Sequence, residues 1–238
     1  MCVGKSGSVT GYAARWATHN VERRTAIVQA AVELLEESPA GTELSVRAVA
    51  ERAGVAKSVL YRQFGGKDEL ERRMRSHIVD ELGALLTSKL DLSTGSVRSI
   101  ISRTVQVLAD WMIEHPRWDE FLRGGPTFDG DESLDAVSEL KLRMARRSEA
   151  ILASIADALD VDPQAFEPVP YAVVTMVEAT MSTWIRQDAP ERPRSRIVSD
   201  LTDLTVYILD GAARSVGVVA DPDEEFTAVL QSVAKSSE

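Results

Sequence analysis

Lys57, Ser58, Tyr61 and Arg62 place an ammonium, a hydroxyl, a phenol and a guanidinium within six positions of one another. At helical spacing such groups suit hydrogen bonding to phosphate oxygens and to the edges of bases. Little else in the chain points to bond-making chemistry. The three histidines, His19, His77 and His115, are far apart, and none sits in a ligand-spaced cluster with cysteine. Cys2 is a single cysteine, so no internal disulfide framework is possible, which fits a reducing cytoplasm. There is no G-x-S-x-G, no P-loop and no paired nucleotide-binding glycines. The acidic run Asp221–Glu225 reads as a solvated cap or turn rather than a metal loop. The expectation is therefore a binding protein without catalytic residues, metal or cofactor.

The elements that must position these side chains are helices. From Val21 to Glu37, the residues Ile27, Ala30, Ala31, Leu34 and Leu35 form one apolar stripe. Ser38-Pro39-Ala40-Gly41 stops that helix. Ser45 can cap a second, short helix whose inward residues are Val46, Val49, Ala50 and Ala53. Gly54 marks a sharp turn. A third helix runs from about Ala56 to Phe64, with Leu60 and Phe64 inward and Gly65-Gly66 at its end. A long fourth helix begins at Lys67, with Asp68 and Glu69 in the first turn, where the helix dipole favours them. Its stripe is Leu70, Met74, Ile78, Leu82 and Leu85. Two short helices joined by a glycine turn make a helix-turn-helix arrangement. The first of the pair and the preceding helix hold the second at a fixed angle, so that its polar face can enter a major groove.

Residues 42–70 resemble the DNA-binding domain of the tetracycline-repressor (TetR) family. The resemblance covers about residues 22–75 and is carried by Val49-Ala50, Ala53-Gly54-Val55, Leu60-Tyr61, Phe64 and Lys67-x-x-Leu70. It implies that Ser45 caps the second helix and touches phosphate, and that Arg47 reaches a base or the backbone. Lys57, Ser58 and Val59 would face base edges, and Tyr61 and Lys67 would bind phosphate. Arg62 and Gln63 would reach the backbone or the edge of the site. Two departures stand out: Ala56 occupies a cap position usually held by Ser or Thr, and Gln63 replaces a frequent His. They imply altered affinity or operator preference, not loss of binding.

Asp91–Ser96, with Gly95, is a break. It divides a flexible arm (1–18) and a helix-turn-helix domain with its connecting fourth helix (19–90) from a second helical domain (91–238). Helical patterns run over Val97–Glu114, Arg117–Arg123, Ser133–Leu159, Gln164–Gln187 and Ser195–Val216, giving an all-α fold of about nine helices. The resemblance implies that this second domain binds a ligand and dimerises. Val173, Thr180 and Trp184, and Ile197, Leu201, Leu204, Ile208 and Ala212, recur at helical spacing and form a candidate homodimer interface. Trp111, Trp118, Phe121, Phe128, Met144, Phe166, Tyr171 and Met176 are candidate pocket residues. Pro168 and Pro170 are expected to kink a helix and open space beside it.

The whole chain has 238 residues and a formal charge of −10, a balance that by itself argues against nucleic acid. The charge is unevenly spread. Residues 42–75 hold eight Lys+Arg against five Asp+Glu, whereas residues 91–238 hold 14 against 26. A locally positive face can bind DNA while distant negative charge restrains non-specific binding. No apolar stretch approaches the roughly 18 residues of a membrane span. The expected protein is a cytoplasmic dimeric regulator, a repressor released from a palindromic double-stranded operator by a small apolar or amphipathic effector. The alternatives are a ligand-independent regulator or activator, and an all-α small-molecule binding protein with no DNA function.

Overall fold

The computed structural model describes residues 8–39, 41–186 and 192–228. Among them the chain forms nine α-helices and one 3₁₀ turn, and its one strand-like pairing is an isolated bridge between Ser96 and Glu225. The helices are α1 (Ser8–Glu37), α2 (Val46–Arg52), α3 (Lys57–Phe64), α4 (Lys67–Lys89), α5 (Val97–Glu114), α6 (Pro116–Leu122), α7 (Ala136–Ala158), α8 (Val169–Ile185) and α9 (Arg194–Ser215). The expected arm over 1–18 is corrected in part. Helix α1 already begins at Ser8, across a stretch in which Ala13, Ala14 and Ala17 favour helix. Residues 1–7, with Cys2, and the tail 229–238 lie outside the described residues.

The first three helices share a core with the start of α4. Ile27, Ala31 and Leu35 of α1, Val49 and Ala50 of α2, Leu60 and Phe64 of α3, and Leu70, Met74 and Ile78 of α4 are buried together. This is the apolar stripe of each helix turned onto its neighbours. Gly54 lies between α2 and α3 at φ 65°, a left-handed conformation that disfavours any residue with a Cβ. On α4 the buried series is Leu70, Met74, Ile78, Leu82 and Leu86, while Leu85 is exposed, so the stripe continues in steps of four. The consequence is positional: the far end of α4 turns Leu86 inward, toward the second helical unit.

In that unit α5 packs on α9 and α7 on α8, with the second half of α4 against α5 and α7. The expected helix from Gln164 to Gln187 is two elements, a 3₁₀ turn over Pro163–Phe166 and then α8. Pro168 precedes α8 and Pro170 sits in its first turn, where a missing N–H costs nothing. The prolines start the helix rather than kink it. Helix α7 begins three residues later than expected, because Asp135 caps it by accepting from Ser138 N at 2.7 Å. The acidic run at 221–225 is tied down rather than merely solvated. Arg98 Nε donates to Asp223 Oδ1 at 2.9 Å, and Gly95 N donates to Glu225 Oε2 at 2.8 Å. No helix among the described residues is long and apolar enough to cross a membrane.

Candidate nucleic-acid interface and internal cavity

Helix α3 presents its polar face outward because Leu60 and Phe64 anchor the opposite face. Lys57, Ser58, Tyr61 and Arg62 are exposed, and Val59 is half-buried. The Lys57 ammonium lies 5.7 Å from the centre of the Tyr61 ring. This cation–π contact keeps both side chains on one side of the helix. Among the described residues Arg62 has no ion-pair partner, so its charge is open to a phosphate. At the start of α2, Ser45 accepts from Ala48 N at 3.4 Å and so acts as the cap. Ala56 offers no such bond at the start of α3, which leaves early N–H groups of that helix for an outside acceptor.

Arg47 and Lys67 lie beside this face but are engaged. Arg47 Nε pairs with Glu51 Oε1 at 2.8 Å. Lys67 Nζ lies 3.2 Å from Glu43 Oε2 and 3.7 Å from Glu71 Oε1. The hydrogen bond to Glu43 is the main reason the Lys67 ammonium is held more basic than usual. Both cations have to leave a carboxylate to meet phosphate, so each contributes less than a free cation would.

Gln63 is a correction. It is only 8% exposed and faces α1, not solvent. Arg24 donates through Nε to Gln63 Oε1 at 3.2 Å and through Nη2 to the Gln63 carbonyl at 2.7 Å. Gln63 Nε2 in turn donates to Asn20 Oδ1 at 3.4 Å. The amide clamps α3 to α1 and is not available to DNA. Gln63→Ala is expected to lower stability by about 1 kcal/mol, since it strands the Arg24 Nε donor. The salt slope of DNA binding should stay unchanged. A urea melt and a salt titration check the two halves separately.

The second unit holds two adjoining, partly open cavities of about 260 Å³ and about 160 Å³. They adjoin as two lobes, since Leu90, Ile101, Ser148, Val173, Val174 and Thr205 line both. The larger lobe reaches Phe166 and Phe226, and the smaller reaches Leu86, Leu140 and Met144. Their walls are mostly aliphatic. Helix α4 thus runs from the base of the helix-turn-helix to the cavity, with Leu70 in one core and Leu86 at the wall of the other space.

Of the eight expected pocket residues, Phe166 and Met144 line this space. The rest are corrected. Trp111 and Trp118 are buried in an aromatic cluster with His115, whose ring stacks on Trp118 at 4.0 Å. Phe121 lies under the guanidinium of Arg75 at 4.6 Å and Phe128 under that of Arg73 at 3.5 Å. Tyr171 points to solvent, and Met176 packs against the core. The aromatic residues were the wrong guide, because flat rings fill a core whereas isoleucine, leucine and valine shape this cavity. Its signal was the aliphatic run of α7 and α9, with Ile151, Leu152, Ile155 and Leu209.

The expected dimer face is also redrawn. Val173 lines the cavity, and Trp184, Ile197 and Leu201 are buried within the chain. Thr180, Ile208 and Ala212 are half-buried. Leu204 is 46% exposed, joined one turn on by Tyr207 at 65%, which the sequence reading missed. Both are large apolar side chains on the outer face of α9.

Residues 27–74 match the tetR family of bacterial regulatory proteins. An HTH-type transcriptional regulator of Mycobacterium tuberculosis is 24% identical over 208 residues, covering 85% of this chain and 84% of the relative. The crystal structure of a tetR-family transcriptional regulator from Streptomyces coelicolor is similar with a TM-score of 0.61 at 22% identity, over 90% of this chain and 89% of that one. The structure of RolR in complex with resorcinol is similar with a TM-score of 0.50 at 15% identity, over 92% of this chain and 95% of that one. The solved structures share the fold, and the helix-turn-helix segment carries the family match. The helix-turn-helix segment is accordingly the part matched by the tetR family of bacterial regulatory proteins, and over most of its length the chain is similar to an HTH-type transcriptional regulator.

Proposed function

We propose that the chain is a repressor that binds a palindromic operator as a homodimer and leaves it when a small apolar or amphipathic molecule enters the two-lobed cavity. One observation carries this reading: α4 physically joins the exposed helix α3 to the wall of an apolar cavity. A ligand that fits one orientation of α4 better than another shifts the spacing of the recognition helices. Paired helices reading successive half-sites must lie about 34–36 Å apart, so a small change of angle at α4 suffices to break register. RolR, of similar fold, carries resorcinol in its solved structure, which supports a small-molecule effector here. Operator contact falls to Ser45, Arg47, Lys57, Ser58, Val59, Tyr61, Arg62 and Lys67. In this reading the protein works in the cytoplasm and needs no cofactor.

The reading is tested by fluorescence anisotropy on a DNA fragment from upstream of its own locus, with and without a compound that binds the cavity. Release on binding supports it, and unchanged operator affinity at full occupancy overturns the switch. The dimer has its own test. Leu204 and Tyr207 give α9 an apolar outer face, suited to the same face of a second copy in a four-helix contact. Leu204→Glu is expected to shift sedimentation from dimer to monomer and to weaken operator binding at least tenfold, because paired half-sites then bind separately. A dimer that persists in this variant would place the interface elsewhere.

A further inference from the structure

Thr205 of α9 stands at the waist between the two lobes and is almost fully buried. Its Oγ1 is enclosed and has no hydrogen-bond partner. Helical threonines commonly satisfy the hydroxyl by donating to the carbonyl four residues back. Thr25, Thr104, Thr183 and Thr202 do so here, at 3.1, 2.9, 2.8 and 2.8 Å. Thr205 and Thr175 do not, and of these two Thr205 is the one that lines the cavity. A buried hydroxyl without a partner is unfavourable. A bound molecule that offers an oxygen at the waist removes that cost.

The charges around the cavity select against an ionic ligand. Lys141 and Glu178, at the edge of the smaller lobe, lie 3.4 Å apart, and Arg123 Nη2 donates to Glu178 Oε1 at 2.5 Å. Each is already compensated, and a further charge buried against the aliphatic walls would lack a counter-ion. Thr205 lines both lobes rather than one end, so the matching group lies inside a chain and not at its terminus, and the enclosed hydroxyl turns about χ1 to meet it.

We propose that the cavity takes a neutral, single-chain compound with one internal ketone or secondary alcohol, whose oxygen accepts a hydrogen bond from Thr205 while an apolar arm fills each lobe. The lobes measure about 260 Å³ and about 160 Å³, so the arms are unequal. The longer points toward Phe166 and Phe226, and the shorter toward Leu140 and Met144. This inference rests on the reading of the cavity as the effector site.

The probes are 4-decanone, n-decane and sodium decanoate, added to the full chain and to its Thr205→Val and Thr205→Ser variants. Affinity is read from the concentration dependence of the melting temperature. The wild type is expected to bind 4-decanone most tightly. Thr205→Val should weaken that binding about tenfold while leaving n-decane unchanged, and Thr205→Ser should retain it. Equal binding of 4-decanone to wild type and Thr205→Val overturns the anchor but leaves the cavity as an apolar site. Tighter binding of decanoate than of 4-decanone overturns the neutral ligand. If none of the three raises the melting temperature, the chain-shaped ligand is wrong, while operator release by other compounds still judges the effector reading.

Discussion

Replacing Lys57 and Tyr61 together by alanine is expected to lower operator affinity about 100-fold at moderate salt, with little change in folding stability. Base and phosphate contacts of this kind are each worth about 1–3 kcal/mol. Both side chains are exposed on α3, opposite the buried Leu60 and Phe64, so their loss opens no cavity. Their effects should not add, because the Lys57 ammonium rests against the Tyr61 ring and each side chain orients the other. The single changes separate the roles. Lys57→Ala should relax sequence preference, whereas Tyr61→Phe should weaken binding to all sequences alike. Arg47→Ala should cost less than Lys57→Ala, because Arg47 already spends its charge on Glu51. Anisotropy across a salt series measures all of these. An operator affinity within twofold of wild type for the double variant would remove α3 from the interface.

The second large effect is expected at the waist of the cavity. Val174 lines both lobes, and a phenylalanine there would place a ring across their junction. Overpacking a filled core is destabilising, but here the ring enters existing space, so the melting temperature should hold or rise. Val174→Phe is therefore expected to bind operator normally and to need at least about 100-fold more effector for release, since no bound molecule can then span the two lobes. The measurement is a release titration monitored by anisotropy, with the melting temperature as control. Normal release by the variant would mean that the effector binds elsewhere.

The fate of particular residues shows how far sequence reaches. The helix-turn-helix was legible because its determinants are local. Apolar spacing set the inward faces of α1, α2 and α3, Ser45 supplied a cap, and Gly54 supplied the left-handed turn. Those same rules placed Lys57, Ser58, Tyr61 and Arg62 outward. They failed at Gln63, because a polar residue at the edge of a helix face can turn either way. A partner 39 residues earlier, Arg24, drew it inward. They failed again at Leu85 and Leu86, where adjacent leucines compete for one stripe and only the packing of α4 on α5 and α7 chooses between them.

The second unit was legible as helices but not as a site. Periodicity shows that a helix has an apolar face, and α5, α7, α8 and α9 all do. It does not show whether that face meets another helix, a cavity or a second chain, since all three bury the same side chains. Leu201 and Leu204 illustrate this: three residues apart on α9, one is fully buried and the other exposed. What the sequence by itself determined was the all-α fold, the helix-turn-helix and the outward polar face of α3, because capping, turn chemistry and helical period act over a few residues. Only the tertiary structure decided that Trp111 and Trp118 fill the core, that mostly aliphatic residues wall the two-lobed space, and that Thr205, lining both lobes, stands unpaired. Those facts depend on which helices meet, and the volumes left between packed helices are set by contacts among residues far apart in the chain.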